Sequence, residues 1–275
     1  MPETAIGRRP FTELRVDDAR RVFGSRRHRH VAVDGVDLTI GPSTSLGIVG
    51  ESGSGKSTLS RMLVGLDQPT SGTVLLNGAP VHDWLAERSR ALEFRRTVQY
   101  VPQDTSSSFD PRRSLRDSVQ SPLRTLYGLG GRELDEAFDD VLASLQLDPA
   151  LADRKPHRVS GGQRQRFAIA RALIVRPRVI VCDEVVSALD VSVQGAILNL
   201  LKQYIAEHDA AIVFVSHGLP ATAFICSRMS VMHHGRVVES GPTAQVVHDP
   251  ADDYTRSLID AYRLDDALEE TVVPA

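Results

Sequence analysis

Gly50-Glu51-Ser52-Gly53-Ser54-Gly55-Lys56-Ser57 decides how the rest of this chain reads. The run matches the phosphate-loop pattern G-x-x-x-x-G-K-[ST] at every specified position, and Thr58 follows it. Leu46 to Val49, just before it, reads as a short apolar strand, and Leu59 to Leu66, just after it, reads as a helix. Glycines let successive backbone N–H groups turn inward around phosphate oxygens. The helix that starts here adds the positive end of its dipole. In that arrangement Lys56 reaches the β- and γ-phosphates of a nucleotide and Ser57 holds Mg²⁺. Lys56, Lys155 and Lys202 are the lysines of a chain whose other cations are arginine, so a lysine here has a chemical reason. The bland alternative is a Gly/Ser-rich turn with a chance lysine, and the flanking strand and helix weigh against it.

Working outward, Val36, Leu38 and Ile40 alternate with polar residues and predict a half-buried strand. Thr73 to Leu76 predicts another, closed by the turn pair Asn77-Gly78. Leu134, Ala137, Phe138, Val141, Leu142 and Leu145 follow the spacing of an amphipathic helix. Together with Leu115 to Leu126 they predict a helical insert over about 104–175. Beyond it come a buried strand at Val179 to Cys182, a helix at Val193 to Glu207, a strand at Ile212 to Val215 and a hairpin around His234-Gly235. Strands alternating with helices predict a mostly parallel α/β sheet. Residues 1–30 read as basic and irregular, with Arg26 to His30 as a solvated hairpin tip. The segment from Asp265 reads as an acidic, frayed end.

At 275 residues, 41% hydrophobic and 24% charged, the chain can bury a core and falls outside the disordered, collagen-like and coiled-coil classes. Its net charge of −3 argues against nucleic acid as a partner. Cys182 and Cys226 are too few for a disulfide framework or a cysteine-rich metal site and read as small buried apolar residues. The longest strictly apolar run, Ala210 to Val215, is far short of the ~20 residues a spanning helix needs. No secretory signal is visible at the N-terminus, so the expectation is a soluble, cytoplasmic protein.

Val179 to Glu184 is an apolar strand ending in two carboxylates, where a phosphate-loop ATPase needs them. Asp183 would coordinate Mg²⁺, directly or through water, and Glu184 would polarise the water that attacks the γ-phosphate. Ser160-Gly161-Gly162-Gln163 has the Ser and Gln of a helix capping box, which is a sufficient structural reason for it. It also offers a helix N-terminus that can face a phosphate.

The string Val159 to Arg166 resembles the signature motif of ATP-binding-cassette (ABC) ATPases, with Val159 where leucine is usual. Gln103 resembles the family's Q-loop glutamine, which touches the metal, Ser187-Ala188-Leu189-Asp190 its D-loop, and His217 its switch histidine on the γ-phosphate. An aromatic residue ahead of the phosphate loop should stack on adenine, and Phe23 is the candidate. The resemblance implies a single nucleotide-binding domain across 1–275. Its parts are a phosphate-loop NTPase core with a mostly parallel sheet, an antiparallel β subdomain, the inserted α-helical subdomain and a tail over about 241–275.

Gln103 to Arg112, Ala32 to Val36, Ser187 to Gln194 and the tail elements Gly241-Pro242-Thr243, Asp249-Pro250 and Tyr254-Thr255-Arg256 resemble the branch that imports oligopeptides, dipeptides and nickel-type chelates. Val185 stands where proline usually follows the glutamate, Gly218 where aspartate usually follows the histidine, and Thr105 replaces a common proline. None of these removes a catalytic side chain.

The resemblance implies a head-to-tail dimer with a second cassette, the same chain or a paralogue, sandwiching ATP. It also implies transmembrane permease subunits that hold the cassette at the cytoplasmic membrane face, and indirectly a substrate-binding protein. The segment Ser106 to Arg113 is the place where a permease helix would sense ATP. Two other readings stand beside this one: a soluble ABC ATPase outside transport, such as a phosphonate-degradation subunit, and a non-catalytic nucleotide-binding module.

Overall fold

The computed structural model describes residues 10–25, 28–105, 107–187, 189 and 191–271. The chain opens with a long antiparallel pair, β1 (Leu14–Ser25) and β2 (His28–Ile40). It continues through β3 (Ser45–Val49) into α1 (Lys56–Leu63), then β4 (Ser71–Leu76), β5 (Ala79–Pro80), α2 (Val81–Ala86), α3 (Arg88–Thr97) and β6 (Val98–Val101). A helical excursion follows: α4 (Leu115–Tyr127), α5 (Gly131–Ser144) and, after two single 3-10 turns, α6 (Gly161–Leu173). The chain returns with β7 (Val179–Asp183), α7 (Val191–His208), β8 (Ala211–Val215), α8 (Leu219–Ile225), β9 (Arg228–His233) and β10 (Arg236–Pro242), and closes with α9 (Thr243–His248) and α10 (Asp253–Thr271).

Six strands form one sheet in the order β10-β9-β3-β8-β7-β6, parallel except for β10. β7 and β8 are buried at every position, which is why they read as continuous apolar runs rather than alternating ones. The remaining strands form an antiparallel sheet in the order β2-β1-β4-β5. The helical insert has its own packing around Phe138, Phe167, Leu115 and Val119, continuous with the sheet core through Ile180 and Phe214.

The turn pairs expected from sequence are present. Asn77 and Gly78, and likewise His234 and Gly235, all take positive φ, as two-residue hairpin turns require. The expectation of an irregular stretch over residues 1–30 is wrong for β1. Leu14, Val16 and Ala19 of β1 are fully buried, but three register shifts against β2 interrupt the alternation that would have announced a strand. The expected hairpin tip is closed by the pairing of Ser25 with His28, and Arg26 and Arg27 lie outside the described residues. Past Asp265, where a frayed end was expected, α10 runs on to Thr271, and residues 272–275 lie outside the described residues. Cys182 and Cys226 are free and buried, as their composition suggested.

Candidate functional site

Gly50 and Gly55 are glycine for steric reasons. A Cβ on Gly50, at φ +150°, would lie 2.2 Å from the Met232 carbonyl oxygen, and one on Gly55, at φ +105°, would lie 2.1 Å from that of Ala32. The loop between them is therefore clamped by β9 on one side and β2 on the other. Ser54 accepts the Gly235 N–H on its carbonyl, tying the loop to the β9–β10 turn. Gly55 sits in the left-handed region as the residue before α1, and α1 begins at Lys56, three residues earlier than the apolar pattern suggests.

Lys56 is buried, and its ammonium donates to the carbonyls of Gly50 at 2.7 Å and Glu51 at 2.8 Å. Burial pulls its pKa down, against the carboxylates of Glu184, Asp183 and Glu51, which act to hold it up. A cation held this way by its own loop stands ready for an anion in the cleft.

Four neighbouring parallel strands bring the remaining groups to the same carboxyl edge of the sheet, where ligands of open α/β sheets bind. Gln103 follows β6, Asp183 ends β7 with Glu184 just after it, and His217 follows β8 beside the loop after β3. Gln103 Nε2 donates to Glu184 Oε2 at 2.6 Å, and His217 Nδ1 lies 3.6 Å from the same oxygen. Glu184 adopts φ +49°, a left-handed conformation that costs a non-glycine residue ~1–3 kcal/mol. Its N–H is fixed on the Val215 carbonyl at 2.8 Å, which aims the carboxylate into the cleft.

Asp183 is almost fully buried, and both its oxygens are engaged. Ser57 Oγ donates to Oδ1 at 3.1 Å, and the Tyr100 phenol donates to Oδ2 at 2.9 Å. Burial raises the Asp183 pKa, opposed by those two hydrogen bonds. Tyr100 was not singled out in the sequence; its place two residues before Pro102 on β6, the strand beside β7, was the available signal. Ser57, Asp183 and Gln103 offer oxygen donors with a single carboxylate. That set suits Mg²⁺, which keeps several waters and takes the rest of its shell from phosphates.

The cleft has a volume of about 640 Å³, and its walls include Gly50 to Gly53, Gly55 to Thr58, Gln103, Glu184 and His217. Ser54 is buried behind them. Ser160, Gly161, Gly162 and Gln163 are not among its lining residues. They open α6, where the capping box is complete: Gln163 N–H donates to Ser160 Oγ at 3.2 Å, and Ser160 N–H donates to Gln163 Oε1 at 3.0 Å. Ser160 and Gly161 are exposed, and a Cβ on Gly161 would meet nothing within 4 Å. Phe23 does not line the cleft either. It pairs with His30 across β1 and β2, and the Arg21 guanidinium covers its ring at 4.6 Å. Asp190 lies outside the described residues, while Ser187 donates its hydroxyl to the Glu184 carbonyl at 2.9 Å. The two departures beside the catalytic candidates do not enter the cleft. Val185 packs into the core, and Gly218 precedes α8 with its N–H on Ser216 Oγ at 2.9 Å.

A phosphate cradle with a buried lysine, set beside a paired glutamine and glutamate, defines the class as a nucleoside triphosphatase. The family model described as ABC transporter matches residues 33–187. The chain belongs to the ABC transporter family, as one of its ATP-binding cassettes. It is 38% identical to the oligopeptide transport ATP-binding protein AppF of Bacillus subtilis over 263 residues, covering 93% of this chain and 79% of AppF. It is also 38% identical to OppF of Escherichia coli over 252 residues, covering 91% of this chain and 75% of that protein. Among solved structures, the ATP-binding cassette MJ0796, in a dimeric post-hydrolysis state with ADP and Pi, matches with a TM-score of 0.77 at 28% identity, over 84% of this chain and 98% of that one.

Proposed function

We propose that this chain is the ATP-hydrolysing subunit of an importer for oligopeptides or dipeptides, with nickel-type chelates as the other cargo class of the branch it resembles. The observation that carries the catalytic part is the Gln103–Glu184 hydrogen bond at the edge of the phosphate loop. The peptide assignment rests on relatives such as AppF and OppF, which are oligopeptide transport proteins by name.

In this reading Lys56 and the loop N–H groups bind the β- and γ-phosphates. Ser57, Asp183 and Gln103 would hold Mg²⁺, which would neutralise phosphate charge. Glu184 accepts the proton of the attacking water, and His217 steadies the γ-phosphate from the end of β8. Ser160 to Gln163 complete this shell from a second cassette, because within one chain they lie outside the cleft. MJ0796 is dimeric in its solved structure, which supports that arrangement. Among the described residues no helix is long and apolar enough to cross a membrane, so attachment to the cytoplasmic face depends on permease subunits.

Permease coupling falls to a second cavity of about 400 Å³ between α3 and the insert, lined by Arg95, Asp110, Arg113 and Arg171. The segment expected to feel ATP runs along it, apart from Ser106, which lies outside the described residues.

The test is the dependence of ATPase activity on protein concentration, alone and with permease subunits. Specific activity should rise with concentration, and Glu184→Gln with ATP should form a stable dimer. Flat activity from nanomolar to high micromolar protein, with no such dimer, would remove the sandwich. Absence of any permease-dependent stimulation would remove the transport assignment.

A further inference from the structure

Leu258 and Tyr262 line the same cleft as Lys56, Glu184 and His217, yet they come from α10. With Tyr254 they recur every four residues, which sets the three on one side of the helix. The start of α10 is fixed. Asp252 caps it by accepting the Tyr254 N–H at 2.9 Å, and Glu239 of β10 accepts the N–H groups of Ala251 and Asp252. The Tyr254 ring stacks on His233 at 3.7 Å and an interplanar angle of 6°. Its phenolic oxygen accepts the Glu51 N–H at 3.2 Å, 203 positions away in sequence. Leu258 and Ile259 share a core with Val49, the residue that precedes Gly50. Thus α10 packs against β10, shares a core with the residue that precedes the phosphate loop and is hydrogen-bonded to the loop itself.

Leu258 offers phosphate no donor, and Tyr262 offers only one neutral hydroxyl beside a large apolar ring. A triphosphate set against them would lose hydration and gain no charged donor. They suit the flat, partly apolar nucleoside. Phe23, the aromatic residue expected from sequence to stack on the base, is outside the cleft lining.

We propose that α10 is part of the nucleotide site: Tyr262, backed by Leu258, packs against the nucleoside of bound ATP, and Tyr254 ties this wall to Glu51 at the start of the phosphate loop. The inference rests on reading the cleft as an ATP site, and the experiment separates the two.

Calorimetric titration of the full chain with ATP and with inorganic tripolyphosphate, both with Mg²⁺, gives the readout. Tyr262→Ala should weaken ATP binding about three- to tenfold, the range an aromatic contact supplies, and leave tripolyphosphate affinity unchanged. Tyr262→Phe should bind both as the wild type does, because the ring is retained. ATP affinity unchanged in Tyr262→Ala would overturn the proposal. So would an equal loss for ATP and tripolyphosphate, which would place Tyr262 on the phosphates or in the fold alone. A wild-type chain that binds neither ligand would refute the ATP site itself and this inference with it.

Discussion

Tyr100 holds Asp183 from the neighbouring strand, its phenol donating to Oδ2 at 2.9 Å while Ser57 takes the other oxygen. A nearly buried carboxylate leaves a large desolvation cost if a donor is removed. Tyr100→Phe should therefore destabilise the fold by about 1.5–3 kcal/mol in urea unfolding, the range for a hydrogen bond to a charged group. It should also raise the Mg²⁺ concentration needed for half-maximal hydrolysis. An unchanged unfolding midpoint and an unchanged Mg²⁺ titration would show that the contact is idle.

Glu184→Gln should retain ATP binding and lose about two to four orders of magnitude in turnover, as removal of a general base does. The amide keeps the carboxylate's size and can still face Gln103, so the loss isolates proton acceptance. Turnover near wild type in single-turnover assays would reassign the base.

Lys56→Ala should weaken ATP affinity and stop hydrolysis, since the ammonium that bridges the Gly50 and Glu51 carbonyls is the cation of the loop. Equal ATP affinity in the variant and the wild type, measured with Mg²⁺, would contradict that role.

Cys182 and Cys226 should resist thiol reagents in the native protein and react on unfolding. Burial pushes both thiols well above their ordinary range, so neither supplies thiolate at neutral or mildly alkaline pH. A raised folded pKa means the contribution is fully present below the unfolded thiol value of about 8.5 and is lost as pH rises above it. Rapid labelling of the native chain at pH 8 would show that one thiol is accessible. Replacing both by Ala should leave ATPase activity present.

Phe109 lies in the segment expected to sense ATP, and its ring is buried in the insert core under the Arg171 guanidinium, 4.5 Å away. Phe109→Ala should cost about 3–5 kcal/mol of stability, as large-to-small core changes do. A melting temperature equal to wild type would show that the ring is dispensable there. Arg113, exposed at the second cavity, is the better probe of coupling.

Much of the site was legible because it is written in short, contiguous strings. The phosphate loop specifies its own conformation through glycine and its own helix start. Ser160 and Gln163 cap α6 from within four residues. β7 and β8 announce themselves as unbroken apolar runs because both their faces are buried. β1 was hidden because bulges break its alternation, and α2, α3, α8, α9 and α10 were missed as well. The three shorter of these helices, α2, α8 and α9, each bury only one to three side chains, too few to set up a visible period.

By itself, then, the sequence determined the residue chemistry: a lysine in a glycine loop, two carboxylates at a strand end, and a glutamine and a histidine in the right order along the chain. Only the tertiary structure decided which of these meet. Strand order puts β6, β7, β8 and β3 side by side, so that Gln103 reaches Glu184 across 81 positions and Tyr100 reaches Asp183 across 83. The same packing leaves Phe23 outside the cleft, brings Leu258 and Tyr262 to its wall, and keeps Ser160 away from it. Local strings encode backbone conformation and side-chain type, but long-range proximity is set by sheet order and by the core that α10 shares with β3. Those depend on the whole chain burying its apolar surface at once.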